Sequence, residues 1–233
     1  MRSPLAEQVV GVRDPGLATD RGAPWGVLLH TTGRGVPARA AAEKRRVVAV
    51  AIEVYIDSQN GANGYYWGGP HYVLDHDGKS YQIAPENALA AHAGGGNRSA
   101  YIAGYWTSKC SGAALAAWRK QWPTYRHPYS LFPSKTPNRD FVGIEMIPVG
   151  SGFGVPMRPG LLFTKEQHDS VAVLCADIAA RHAWPDGWHR TPRLLGHEDV
   201  DLLERMDSRG GWDPGWLRRE PYFDFEYVRN AIG

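Results

Sequence analysis

The sequence predicts one α/β domain: a mixed central β-sheet flanked by helices, with a long loop insertion. Three observations predict it. The apolar runs Trp25–His30 (WGVLLH) and Phe141–Val149 (FVGIEMIPV) have the length of buried strands and are too short for helices. An Asp77-Gly78 turn between residues 71–75 and 80–83 is a hairpin signal. Elsewhere the period becomes helical: Val171, Leu174, Cys175, Ile178 and His182 share one helix face.

Each element follows in chain order. Residues 1–24 are polar and broken by Pro15, Gly16, Gly22 and Pro24, and read as an extended arm ahead of the domain at 25–233. The first strand is entered from Pro24 and ends in the turn Thr31-Thr32-Gly33. Val47, Val50, Ala51 and Val54 recur at i, i+3, i+4, i+7, which predicts an amphipathic helix within 40–57. Residues 60–70 read as loop, followed by the hairpin. Residues 93–140 form the insertion: a Gly-rich loop, a helix around 112–121, and an aromatic and proline-rich stretch from Trp122 to Pro137. After the 141–149 strand, Thr164 and Gln167 match a capping box and open the clearest helix. Residues 193–195 are a short strand feeding a loop from 196 to 215, and 223–231 a terminal helix.

Composition narrows the function. A chain of 233 residues buries roughly 70% of the surface that it exposes unfolded, so it needs no staple to hold a core. With 43% hydrophobic and 21% charged residues it is neither disordered nor collagen-like. The charge balance of 26 basic against 24 acidic residues contains no block of one sign, so no nucleic-acid partner is expected. Cys110 and Cys175 are too few for a disulfide scaffold or a four-cysteine zinc site, and read as free thiols. No apolar run approaches the ~18 residues of a membrane span, so no membrane insertion is expected. The N-terminus shows no secretion signal, from which synthesis in the cytoplasm is expected. A monomer is expected. Tyr101, Tyr105, Trp106, Trp118, Trp122 and Tyr125 read as the core of the insertion, with stacking on sugar rings as a second possibility.

Three side chains stand out chemically. His30 ends an apolar run where a turn begins, and His197 follows another short run through Gly196. Asp213 sits in Gly210-Gly211-Trp212-Asp213-Pro214-Gly215, a tight loop that aims one carboxylate. Each alone reads equally well as a packed histidine or a turn aspartate. Together, two imidazoles and a carboxylate are a normal catalytic zinc set that leaves a fourth position for water. Ligands converging from strand ends differ from the His-Glu-x-x-His helix, which the chain lacks.

The segments WGVLLHTTG, GGPHYVLDHDGKSYQIAPENALAAHAGGGN, NRDFVGIEM and LLGHEDV with GGWDPG resemble, in order, the motifs of the zinc-dependent N-acetylmuramoyl-L-alanine amidases. This type-2 amidase family includes phage endolysins and resembles the peptidoglycan recognition proteins. The resemblance implies a mixed sheet, a bound Zn2+ and a groove for bacterial peptidoglycan. It places the ligands on His30, His197 and Asp213, while the shorter spacing of many relatives gives Asp207 as the alternative. Glu145 matches the glutamate that some members use as general acid/base; a carboxylate in an apolar strand is costly unless partnered or functional, and a solvent-facing strand-edge Glu is the plainer alternative.

His71 and His92 match family positions that line the substrate groove, and with Asn97 they are the expected substrate contacts; for His71 the hairpin setting also allows a core histidine or a partner behind the site. Two departures matter. Where other members carry a tyrosine before the strand histidine, this chain has Pro70, which moves acid/base work onto Glu145. The family lysine two residues before the last ligand becomes Gly211, or Arg205 if Asp207 is the ligand; Arg205 or Arg209 would supply only charge. The implied reaction is hydrolysis, by zinc-activated water, of the amide joining the lactyl group of N-acetylmuramic acid to L-alanine. It would act on the cell wall, in host lysis or as a secreted effector. Two other readings are a non-catalytic peptidoglycan-binding module and a cytoplasmic amidase that trims recycled muropeptides.

Overall fold

The computed structural model describes residues 3–8, 22–31, 69–90, 92–93, 112–124, 133–134, 137–148, 163–200, 213–214 and 223–233. Its strands are β1 (Glu7–Gln8), β2 (Gly26–Thr31), β3 (Tyr72–Leu74), β4 (Ser80–Gln82), β5 (Phe141–Met146) and β6 (Leu194–Gly196). They form one sheet in the order β1-β4-β3-β5-β2-β6. Only the β3–β4 hairpin is antiparallel; the other neighbours pair parallel, so the sheet is mixed. The hairpin turn is held by Asp75, whose Oδ1 accepts from the N–H groups of Asp77 (2.9 Å) and Lys79 (2.8 Å). Gly78 there has φ +80°, a left-handed conformation that suits glycine, and a Cβ would lie 2.6 Å from the Glu166 carbonyl oxygen.

The helices are α1 (Gly112–Gln121), α2 (Pro137–Asp140), α3 (Lys165–Arg181), α4 (His197–Val200) and α5 (Phe225–Ile232). Both halves of the α3 capping box are made: Thr164 Oγ1 accepts from Gln167 N at 3.1 Å, and Gln167 Oε1 accepts from Thr164 N at 3.0 Å. Such a cap is worth about 1 kcal/mol. Gln167 Nε2 also donates to the Ile147 carbonyl at 2.7 Å, fastening α3 to the end of β5.

Strand alternation sorts side chains between two faces. Val27, Leu29, Tyr72, Leu74, Val142, Ile144, Met146 and Leu194 pack with Val171, Leu174, Cys175 and Ile178 of α3 and Phe225 and Val228 of α5. The residues between them, among them His30, Val73, Gly143, Glu145 and Leu195, turn to the opposite face. That face carries the chemistry. On the α3 side, the buried Glu86 carboxylate receives Tyr72 Oη at 2.5 Å, His182 Nε2 at 2.6 Å and the Arg181 guanidinium. This cluster ties the chain after β4 to the C-terminal end of α3.

Several expectations are refined. The arm supplies β1, which extends the sheet beside β4, and Ser3 N donates to Gln82 Oε1 at 2.8 Å. The strand expected over 141–149 stops at Met146, because the Ile147 carbonyl is taken by Gln167 and Pro148 has no N–H to donate. Of the stretch from 196 to 215, expected as loop, Gly196 ends β6 and His197–Val200 form the single helical turn α4. The helix expected within 40–57 lies outside the described residues. Among the described residues no helix is long and apolar enough to cross a membrane.

Candidate metal centre

The site forms at the carboxyl ends of the parallel strands, where open α/β sheets present ligand-binding groups. His30 is the penultimate residue of β2, and its Cα partner in β5 is Glu145. His197 follows the last residue of β6, which pairs with β2 on its other edge. Asp213 arrives from a distant loop and is fixed at two points. Its Oδ1 accepts from Thr31 N at 2.5 Å, and its carbonyl accepts from Glu198 N at 2.9 Å. The same backbone segments that carry the histidines therefore hold the aspartate. The Asp213–Pro214 peptide is cis.

The three donor atoms converge. His30 Nδ1 and His197 Nδ1 are 3.0 Å apart, His197 Nδ1 and Asp213 Oδ2 are 2.9 Å apart, and His30 Nδ1 and Asp213 Oδ2 are 3.8 Å apart. All three residues are buried. Burial alone would push the Asp213 carboxyl up; the hydrogen bonds and charge of His197 and His30 outweigh it and hold the group well below the ordinary carboxylate range. The set fits zinc. Tetrahedral coordination with bonds of about 2.0–2.2 Å separates ligand atoms by about 3.3 Å, and the three observed edges bracket that value. Two nitrogens and one oxygen also suit a borderline-soft cation.

Glu145 is half-buried and shares the sheet face of His30, because directly paired residues of neighbouring strands project to the same side. His71 is buried. Its Nε2–H donates to the Ala88 carbonyl at 3.0 Å, and its Nδ1 accepts from Gly143 N at 2.9 Å. Expected as a groove contact, its ring is engaged with backbone and joins β3, β5 and the segment after β4. His92, expected in the groove as well, lies with Nδ1 2.9 Å from His30 Nε2. Asn97, Asp207, Arg205, Arg209, Gly211 and Cys110 lie outside the described residues. Cys175 packs in the core on the other face, and burial pushes its thiol up.

Asp199 is a supporting residue that the sequence reading did not single out. Its Oδ2 accepts from Gly196 N at 2.9 Å, closing the turn that bears His197. Its Oδ1 accepts from Trp122 Nε1 at 2.8 Å, and its carbonyl from Trp118 Nε1 at 3.2 Å. Both tryptophans are buried. The end of α1 is thus anchored through these indoles to the turn that holds a proposed ligand. Two tryptophans four residues apart at the end of a predicted helix were the available signal, since that spacing puts both on one face.

Residues 20–216, most of the chain, match the N-acetylmuramoyl-L-alanine amidase family. The chain belongs to this family. As an amidase it is similar in structure to the Staphylococcus aureus hydrolase AmiA, solved in complex with its ligand: TM-score 0.52, 14% identity, covering 100% of this chain and 83% of that one. It is also similar to a point mutant of PlyL, with TM-score 0.50, 12% identity and 97% of each chain covered. The endolysin LysCS, an N-acetylmuramoyl-L-alanine amidase from Clostridium intestinale, is 18% identical with TM-score 0.48, covering 99% of this chain and 97% of that one. No curated protein matches the sequence. At these identities the structural likeness concerns the fold, and the family match carries the peptidoglycan amidase activity.

Proposed function

We propose that this amidase hydrolyses the amide between the lactyl group of N-acetylmuramic acid and L-alanine in peptidoglycan, with zinc held by His30, His197 and Asp213. The observation that carries this reading is the convergence of those three donor atoms beside Glu145, the register partner of His30. Zinc, when bound, supplies Lewis-acid polarisation of the amide carbonyl and acidifies water so that hydroxide is available near neutral pH. Glu145 takes the proton of the attacking water and passes it to the leaving nitrogen. The C–N bond breaks, the lactyl carbon becomes a carboxylate, and L-alanine leaves with a free amino group. Where other members of the family carry a tyrosine this chain has Pro70, which carries no ionisable side chain and supports Glu145 in this role. The substrate places the site of action on the bacterial cell wall.

The test is mass spectrometry of digested peptidoglycan, paired with metal analysis of the protein. The expected products are stem peptides with a free L-alanine amino terminus and glycan strands bearing free lactyl carboxylates. New reducing ends on the glycan, or cleavage inside the stem peptide, would overturn the assignment. Stoichiometric zinc without any released product would instead favour a binding module.

A further inference from the structure

The imidazole of His30 is connected on both sides. Nδ1 faces His197 and Asp213, and Nε2 lies 2.9 Å from His92 Nδ1. His92 in turn places Nε2 3.1 Å from the Phe141 carbonyl oxygen. A carbonyl only accepts, so His92 carries its proton on Nε2. In neutral His92 the Nδ1 is then bare and accepts from His30 Nε2–H. Neutral His30 protonated at Nε2 has a bare Nδ1, the atom turned toward His197 and Asp213.

We infer that His92 is a positioning residue of the metal centre: with the Phe141 carbonyl it fixes the Nε2–H tautomer of His30 and directs the Nδ1 lone pair at the metal. This rests on the zinc reading above. A metal-ligating histidine commonly donates its other N–H to an oriented acceptor, which sets ring angle and raises ligand basicity. Here the acceptor is a second imidazole, itself oriented by β5 backbone.

The seat of His92 is built for one ring position. Gly143 lies directly beneath it: a Cβ there would come within 2.4 Å of His92 Cγ and 2.6 Å of Nδ1. The His30 and His92 rings meet edge to face, with centroids 5.1 Å apart and planes at 83°. The neighbouring backbone is pinned by Asn138, which accepts from Ala93 N at 2.7 Å and donates to Ala93 O at 2.9 Å. Both His92 nitrogens are committed to this chain of bonds, which sets it apart from a groove contact.

The experiment compares zinc affinity by chelator competition in wild type, His92→Phe, His92→Asn and His30→Ala, with imidazole nitrogen NMR on wild type. His92→Phe keeps the bulk and removes the acceptor; zinc affinity should fall about 10- to 100-fold. His92→Asn puts an amide oxygen near the place of Nδ1 and should recover most of that loss. Wild-type His30 should show the Nε2–H tautomer. Unchanged affinity in His92→Phe, while His30→Ala loses zinc, overturns the inference and leaves the zinc reading standing. If wild type binds no zinc, the zinc reading falls and this one with it. Should His92→Phe fail to fold, the His30 tautomer decides, and an Nδ1–H form overturns the inference.

Discussion

The indole N–H of Trp122 donates a 2.8 Å hydrogen bond to Oδ1 of Asp199, a buried carboxylate two residues from His197. The end of α1 is thereby tied to the turn that presents a proposed metal ligand. Trp122→Phe fills most of the space and deletes the donor. A hydrogen bond to a charged group is worth about 1.5–3 kcal/mol, so a loss of that order is expected in denaturant unfolding. Metal affinity should fall as well. Stability and zinc binding both at wild-type levels would show that the indole bond holds nothing in place.

Asp213 and Asp207 make opposite predictions for metal content. Among the described residues Asp213 lies within reach of both histidines, with Oδ2 2.9 Å from His197 Nδ1. Asp213→Ala should purify without stoichiometric zinc, and Asp207→Ala should keep it. Elemental analysis after dialysis reads the difference directly, and the reverse pattern would transfer the ligand to Asp207.

Glu145 shares a face with His30 but is not among the three converging donors. Glu145→Gln should therefore retain zinc and lose turnover by about 10²- to 10⁴-fold, the usual contribution of a positioned acid/base. Turnover assays on purified cell walls, run beside metal analysis, separate this outcome from loss of the ion. Clearing at the wild-type rate would remove Glu145 from the mechanism.

Glu86 predicts the acid limb of stability. Burial raises its carboxyl, but the hydrogen bonds from His182, Arg181 and Tyr72 win, and its folded value lies below the ordinary 4.5. A carboxylate lowered on folding contributes stability that is complete above its unfolded value and is lost as pH falls through the folded one. The midpoint of thermal unfolding should thus drop as pH falls below about 4.5, with Asp213 acting in the same direction. Glu86→Gln should be less stable at neutral pH, because Arg181 loses its buried partner, and should show a shallower acid decline. Parallel pH profiles for the two proteins would refute the assignment.

Much of this protein is written locally. Apolar runs of strand length, the Asp77-Gly78 turn, the Thr164–Gln167 box and the helical period of Val171 to Ile178 depend on near neighbours, and each gave its element, with β5 ending at Met146 short of the expected 149. His30, His197, Asp213 and Glu145 were legible as chemical types at strand ends and in a tight loop, and the ordered motifs around them pointed to the amidases. Their meeting was not legible, because strand order and register are set by which faces pack together. Only the sheet puts Glu145 opposite His30, brings Asp213 to the Thr31 N–H, and lays the His92 ring over Gly143. The role of Asp199 was hidden for the same reason: a turn aspartate looks alike in any sequence, and the two indoles that single it out come from more than 70 residues away, 77 and 81 along the chain. Donors and acceptors are properties of residues, but which donor finds which acceptor belongs to the folded chain.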